Sequence, residues 1–211
     1  MKPVTTTVVG CLALVAVVLG VFVYSVTRTH TLSADELRDL GVFILPEARE
    51  IPAFSLATAS GATFAPDDLK GRWSFVFFGF THCPDICPTT LAVMAEAERQ
   101  LSDPGSYRGV MVSVDPQRDH GSVLADYVSA FSPHFTPVTG ERQQIAEFAR
   151  HVNVAFIKVP AANGGYSVDH SGQIVIINPR GQYHGFIKMP HVAETIVQTF
   201  QALRAGLDTG F

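Results

Sequence analysis

A strand pattern that runs straight into a cysteine pair constrains the fold of this chain more than any other feature of its sequence. Residues 73–80, WSFVFFGF, are apolar on both faces and rich in aromatic side chains, which is typical of a strand in the middle of a sheet. Residues 89–101 have helical composition, with apolar side chains at helical spacing. Cys83 and Cys87 lie between the two runs. The sequence therefore predicts a strand, a cysteine loop and a helix in direct succession.

Strand and helix patterns alternate along the rest of the chain. Strands are predicted at residues 54–64 as a pair, 107–116, 154–159 and 173–187 as a hairpin, and helices at 122–131, 141–151 and 191–205. Alternation of this kind predicts an α/β fold, a mixed sheet with helices on both faces. Functional loops of such sheets lie at the carboxyl ends of the parallel strands, which is where the cysteine loop falls.

The amino-terminal residues predict a membrane anchor. Residues 8–26 carry no charge, and a helix of that length spans roughly 28 Å, close to the ~30 Å of a bilayer core. A cleaved signal peptide would have a shorter apolar region ending in small residues, whereas this run ends in large ones such as Phe22 and Tyr24. Cys11 ends a lipobox-like VVGC, but a lipobox should follow the apolar stretch, so we interpret Cys11 as a small apolar residue of the helix.

The chain is accordingly divided into an anchor at residues 1–28, a tether with a short helix at 29–50 and a globular domain at 51–211. Lys2 and Arg28 flank the anchor, which gives weak support to a domain outside the cytoplasm. No Arg-rich presequence precedes the anchor, so we expect a single-pass protein of a bacterial inner membrane with its domain in the periplasm. A formal net charge of -4 without a basic run argues against nucleic-acid binding.

Cys83 and Cys87 are predicted to lie at the amino terminus of a helix. Proline is tolerated in a first helical turn, so the helix should begin near Cys87-Pro88, and the dipole there favours thiolates. A disulfide that closes so short a loop stabilises little, which argues against a purely structural bridge. Three residues separate the cysteines, one more than in a thioredoxin-type redox pair. That spacing still permits a redox-active disulfide, and it also suits a soft ion such as Cu(I) or zinc.

Two thiolates leave a coordination shell incomplete, so a further ligand is expected among the eight histidines. His170 differs from the others because it precedes a buried run in a loop of small residues, beside Asp169. Asp169 can orient the imidazole ring, as neighbours of metal ligands often do, or it can be a turn residue. The histidines interpreted as ordinary surface or hydrogen-bonded residues are His30, His82, His120, His134, His151, His184 and His191.

Three motifs, FFGFTHCPDICPTTL, SVDPQRD and YSVDHSGQIVIINPRGQ, resemble those of the Sco/SenC family of copper chaperones. The resemblance extends from about residue 50 to residue 203. It implies a thioredoxin-like fold, here with an amino-terminal β-hairpin extension and preceded by one transmembrane helix. Matched motif by motif, Cys83, Cys87 and His170 correspond to the copper ligands of the family. Asp115, in SVDP, belongs to a further motif whose role stays open.

The resemblance also implies a function. It predicts binding of copper as Cu(I) and Cu(II), and delivery of copper to the dinuclear copper site of cytochrome c oxidase subunit II, by a metallochaperone rather than an enzyme. Another periplasmic copper donor or a thiol reductant would be a further partner. The alternative is a thiol–disulfide reductase, in which Cys83 and Cys87 cycle as a redox-active disulfide and keep the partner's copper-site cysteines reduced. A peroxidase of the thioredoxin-like superfamily is a weaker third hypothesis.

Overall fold

The computed structural model describes residues 2–27, 32–160 and 164–206, and in its first helix the side chains of residues 8–22 only. The chain forms two compact units, Met1–Thr31 and Leu32–Phe211. The first unit contains helix α1, Lys2–Thr27. Among the described residues, no helix combines the length and the apolar character needed to cross a bilayer. The anchor predicted at residues 1–28 stays a prediction; residues 1 and 28 and the side chains of 2–7 and 23–27 lie outside the described part.

The second unit is a mixed α/β domain. Its helices are α2 Ala34–Asp39, α3 Ile86–Gln100, α4 Gly121–Ser129, α5 Arg142–His151 and α6 Ala193–Arg204. Its strands are β1 Val42–Arg49, β2 Leu56–Thr58, β3 Thr63–Phe64, β4 Trp73–Gly79, β5 Tyr107–Ser113, β6 Thr136–Thr139, β7 Phe156–Pro160, β8 Tyr166–His170, β9 Ile174–Ile177 and β10 Tyr183–Ile187. In the described part, eight strands form one sheet in the order β1-β10-β9-β4-β5-β6-β2-β3, while β7 and β8 form a sheet of their own.

Strand β4 lies in the middle of the main sheet, as its apolar sequence predicts. It pairs parallel with β5 and antiparallel with β9. Successive side chains of a strand point to opposite faces, and helices cover both. Phe75 contacts Phe200 of α6, and Phe78 contacts Phe148 of α5. The prediction of helices on both faces is confirmed.

Residues 32–50 do more than the tether expected at residues 29–50, of which 29–31 lie outside the described residues. The short helix is present as α2, but β1 pairs antiparallel with β10 and forms an edge of the main sheet. Leu37 and Val42 are both fully buried. Pro46 obscures the strand in the sequence, yet an edge strand accommodates proline because one side of it makes no ladder hydrogen bonds. The folded domain therefore begins before residue 51.

The β7–β8 hairpin also differs from the sequence prediction. The strand predicted at residues 154–159 is β7, and among the described strands it pairs only with β8, outside the main sheet, with Phe156 opposite His170. His170, which the sequence places in a loop, is instead the last residue of β8. The local sequence of a strand does not predict which strand it pairs with, because pairing depends on residues far along the chain. Elsewhere the predicted pair of short strands, β2 and β3, is a hairpin in register Leu56 to Phe64.

Candidate metal centre

The cysteine loop occupies the carboxyl end of β4 and leads into α3, as the sequence predicts. Cys83 is half-buried, and Cys87 lies in the first turn of α3 with no exposed surface. Gly79 ends β4 at the point where the Cys87 side chain crosses it. A Cβ at residue 79 would lie 3.0 Å from Cys87 Sγ and 2.7 Å from Phe77 Cε1, so only glycine leaves the buried sulfur room there.

The two sulfurs lie in different environments. The backbone N–H of Cys87, at the start of α3, donates to Cys83 Sγ at 3.4 Å. Burial raises the pKa of the Cys87 thiol, and its contact with the Cys83 side chain raises it further. The helix terminus was expected to favour a thiolate at both positions. At Cys87 burial outweighs that effect, because a charged group loses its hydration there.

His170 reaches the cysteines from β8. Its Nε2 lies 3.4 Å from Cys87 Sγ, and its Nδ1 lies 3.1 Å from the carbonyl oxygen of Ser171. A carbonyl only accepts, so Nδ1 carries the hydrogen and Nε2 presents a lone pair to the thiol. Burial lowers the pKa of His170, which keeps the imidazole neutral. The rings of Phe77 and Phe80 pack against it in T-shaped arrangements, each with its centroid 5.8 Å from that of the imidazole.

The three ligand atoms of Cys83, Cys87 and His170 all lie within 4.8 Å of one another. A three-coordinate ion with ligand bonds of about 2.2 Å would separate its ligands by roughly 3.8 Å, so small side-chain shifts suffice to hold one. The proton that Cys87 donates to His170 lies between two of the three atoms that would hold such an ion. Displacement of this proton by a soft cation would relieve the cost of burying a thiolate. The donor set is therefore suited to a thiophilic metal ion.

The other sequence candidates lie elsewhere. His82 is exposed and contacts Thr81 Oγ1 at 2.9 Å, away from the three-residue cluster. The hydrogen-bond acceptor for His170 Nδ1 is the Ser171 carbonyl, so Asp169 does not orient the ring through this nitrogen. Adjacent residues of a strand point to opposite faces, and Asp169 is exposed on β8. His191 donates from Nε2 to Gly172 O at 2.7 Å.

Two carboxylates beside the site, Asp115 and Asp119, are fully buried. The sequence motif includes Asp115 without indicating its role, and Asp119 was not identified as a site residue. Both follow β5, the parallel neighbour of β4. Carboxyl ends of parallel neighbours meet at one edge of a sheet. The acidic motif SVDPQRD directly after a buried strand was thus the signal that could have placed both residues next to the cysteine loop.

The comparison with known proteins agrees with this geometry. The family model described as SCO1/SenC matches residues 45–205. A putative copper-binding protein of Stutzerimonas stutzeri is 37% identical over 158 residues, which cover 73% of this chain and 76% of that protein. The mitochondrial SCO2 homolog of Mus musculus is 35% identical over 152 residues, which cover 70% of this chain and 60% of that protein. The match thus spans less than two thirds of the mouse protein.

Solved structures give the same result for the fold. Copper-bound ScoI of Bradyrhizobium japonicum is 30% identical, with a TM-score of 0.65 over 71% of this chain and 96% of that one. Apo Sco1 of Thermus thermophilus is 28% identical, with a TM-score of 0.70 over 78% of this chain and 96% of that one. The mixed α/β domain is therefore the thioredoxin-like fold of Sco proteins, and the chain belongs to the SCO1/SenC family.

Proposed function

We propose that this protein is a copper chaperone that binds one copper ion with Cys83, Cys87 and His170. The observation that carries the proposal is the convergence of two sulfurs and an unprotonated imidazole nitrogen within 4.8 Å. Thiolate sulfur is a soft ligand that favours Cu(I), and imidazole suits copper as well. A structural zinc site would need a closed set of four ligands. The similarity to a putative copper-binding protein and to copper-bound ScoI supports copper as the cargo.

The unequal burial of the ligands suits delivery of an ion. Cys87 holds the buried side of the site, whereas half-buried Cys83 and His170 both line a cleft between the cysteine loop and β8. An incoming thiolate of a partner can approach through this cleft and replace one of these two ligands before it replaces Cys87, which permits stepwise ligand exchange. We propose the dinuclear copper site of cytochrome c oxidase subunit II as the acceptor, and another periplasmic protein as the copper donor.

The proposal includes a location. The uncharged residues 8–26 would anchor the protein in a bacterial inner membrane, with the domain in the periplasm beside a membrane-bound oxidase. The support is the sequence alone, through the length of the apolar run. Fractionation of cells that express the full chain tests it. Recovery of the protein in the soluble periplasmic or cytoplasmic fraction would contradict the anchor while leaving the copper site unaffected.

Copper content of the full chain, purified in detergent under reducing conditions, tests the metal site. We expect one copper per chain in the wild type and loss of tight binding in Cys83→Ser, Cys87→Ser and His170→Ala. Cys11→Ser is the matched control, because Cys11 is exposed on α1 outside the cluster and should retain full copper. Wild-type copper content and affinity in His170→Ala would show that the histidine assignment is wrong.

Thiol–disulfide reduction is the second candidate, favoured by the N–H donor on the half-buried Cys83 sulfur. The Cys83 thiolate would attack a partner disulfide and release one partner thiolate. Cys87 would then resolve the mixed disulfide, so that the partner gains two electrons and two protons while Cys83 and Cys87 become a disulfide. His170→Ala should retain this thiol–disulfide reaction, which needs only the cysteines, and should lose tight copper binding. A variant that keeps dithiol oxidation but loses copper separates the two activities.

A further inference from the structure

The segment between β5 and α4 contacts both the chain before the cysteines and the strand that carries His170. It contains Asp115 and Asp119, neither of which has exposed surface. A buried carboxylate is costly unless hydrogen-bond donors satisfy it. Besides Ser113 and Arg118 close by in sequence, the donors come from two other parts of the chain, Thr81 on the cysteine side and Tyr166 on the histidine side.

On the cysteine side, Asp119 accepts from Thr81. The carboxylate receives the backbone N–H of Thr81 at 2.8 Å and its hydroxyl at 2.5 Å. Ser113, the last residue of β5, donates to the same carboxylate at 2.7 Å. Thr81 precedes Cys83 by two residues in the loop that leads to α3, so Asp119 fastens the entry to the cysteine loop onto the end of β5.

On the histidine side, Asp115 accepts from Tyr166. The phenol of Tyr166 donates to Asp115 Oδ1 at 2.9 Å. Arg118 forms an ion pair with Asp115, donates to the Tyr166 carbonyl at 3.3 Å and lies 4.1 Å above the Tyr166 ring. Tyr166 is the first residue of β8 and His170 the last, and both point to the same face of that strand.

These contacts matter because β8 lies outside the main sheet. Its carboxyl end is held by the short connection to β9, but its amino end has no ladder of the main sheet to fix it. The Tyr166–Asp115–Arg118 contacts supply that second fixed point. A strand held at both ends presents its terminal imidazole at a defined distance from the cysteines.

We propose that Asp115, Asp119, Arg118 and Tyr166 are positioning residues that set the distance between the cysteine pair and His170. This inference rests on the proposed copper site for its functional consequence, while its structural part does not require copper. Loss of a group that orients a metal ligand lowers affinity by about 10–100-fold. Tyr166→Phe, which removes one hydroxyl and keeps the ring under Arg118, should therefore weaken Cu(I) binding about tenfold.

The test uses the full chain and three single variants: Tyr166→Phe, Thr81→Val for the cysteine side, and Tyr107→Phe as control. The Tyr107 hydroxyl is buried and donates to Met94 O at 3.5 Å, outside the metal centre. Cu(I) affinity is measured by competition with a chromophoric chelator, and the Cu(II)–thiolate absorption and electron paramagnetic resonance spectra report ligand geometry. Thermal unfolding confirms that each variant is folded.

A double-mutant comparison separates positioning from general destabilisation. In a His170→Ala background, Tyr166→Phe should change the remaining Cu(I) affinity less than twofold, because its effect passes through His170, whereas Thr81→Val should still weaken binding about tenfold. Wild-type affinity and spectra in Tyr166→Phe, or an equal loss in both backgrounds, would overturn the histidine side of the proposal. An unchanged Thr81→Val would overturn the cysteine side.

Amide hydrogen exchange of the metal-free chain tests the structural role of Tyr166 independently of copper binding. Tyr166→Phe should accelerate amide exchange along β8 at least severalfold and leave β9 unchanged, while Tyr107→Phe should alter neither. Equal exchange of β8 in the wild type and Tyr166→Phe would refute the positioning role even if copper binds. Faster exchange of β8 in a chain whose wild type binds no copper would instead reject the proposed function and retain the structural inference.

Discussion

A methyl group added at Gly79 tests whether the end of β4 is shaped around the buried sulfur. In Gly79→Ala the new Cβ would lie 2.7 Å from Phe77 Cε1 and 3.0 Å from Cys87 Sγ, whereas carbon contacts are optimal near 3.5–4.0 Å. Both neighbours are fully buried, and the Phe77 ring is itself packed against His170. Neither can move by the required distance, about 1 Å, without disturbing the site.

The expected cost follows from overpacking a core. An extra methyl group in a well-packed interior costs about 1–3 kcal/mol of the free energy of unfolding. In a chain of this size that lowers the melting temperature by roughly 2–12 °C, at ~2–4 °C per kcal/mol. Displacement of Cys87 Sγ should also weaken Cu(I) binding about tenfold or more, as for other changes that misplace a ligand. Thermal unfolding and chelator competition measure the two effects.

Two further glycines provide matched controls. In Gly109→Ala the added Cβ would lie 2.4 Å from Phe135 Cδ1, so this variant should lose comparable stability and keep its copper affinity. In Gly105→Ala the nearest atom is Asp103 Oδ1 at 3.4 Å, so neither property should change. Equal losses of copper affinity in Gly79→Ala and Gly109→Ala, or a Gly79→Ala variant as stable as the wild type, would refute the argument.

Three other predictions concern the fold. Leu37→Ala should lower the free energy of unfolding by about 2–5 kcal/mol, because Leu37 is fully buried; an unchanged denaturant midpoint would mean that α2 is dispensable. Phe148→Ala should cost about 3–5 kcal/mol, since its ring stacks on Phe54 at 4.4 Å, yet leave copper content unchanged. Burial lowers the pKa of both His184 and His191. Their contribution to the free energy of unfolding is therefore complete above about pH 6.5 and is lost as the pH falls through their pKa values in the folded protein. The free energy of unfolding, measured with denaturant, should be lower at pH 5.5 than at pH 7.5. The double variant His184→Gln/His191→Gln should show a smaller decrease, and an equal decrease in the wild type and the double variant would exclude these histidines as its source.

Elements with a strong local pattern were predictable. The runs that became β4, β5, α3, α5 and α6 were identified because burial and helical periodicity are written into consecutive residues. The start of α3 at Ile86 also agrees with the expected effect of Pro88 in a first turn. Strand β1 was missed because Pro46 interrupts its pattern, and only its place at the sheet edge makes that proline acceptable.

Pairing and burial between distant segments were not predictable. The sequence of β7 and β8 shows two extended runs but not that they pair with each other outside the main sheet. Likewise, the position of SVDPQRD after a buried strand indicates the sheet edge near the cysteine loop, but it does not indicate which residues the two acids contact. That Asp119 is buried against Thr81, and Asp115 against Tyr166, depends on contacts across tens of residues, for which local propensity carries no information.

The sequence by itself determined the cysteine half of the site: a buried strand, a short loop and a helix that begins beside Cys87, all set by neighbouring residues. Only the tertiary structure brought His170 Nε2 to 3.4 Å from Cys87 Sγ, with its Nδ1 hydrogen held by Ser171. It also made the two sulfurs unequal, with Cys83 half-buried and Cys87 fully buried. The physical reason is that backbone hydrogen bonding and side-chain periodicity act within a few residues, whereas burial and ligand distance arise from packing among β4, α3 and β8.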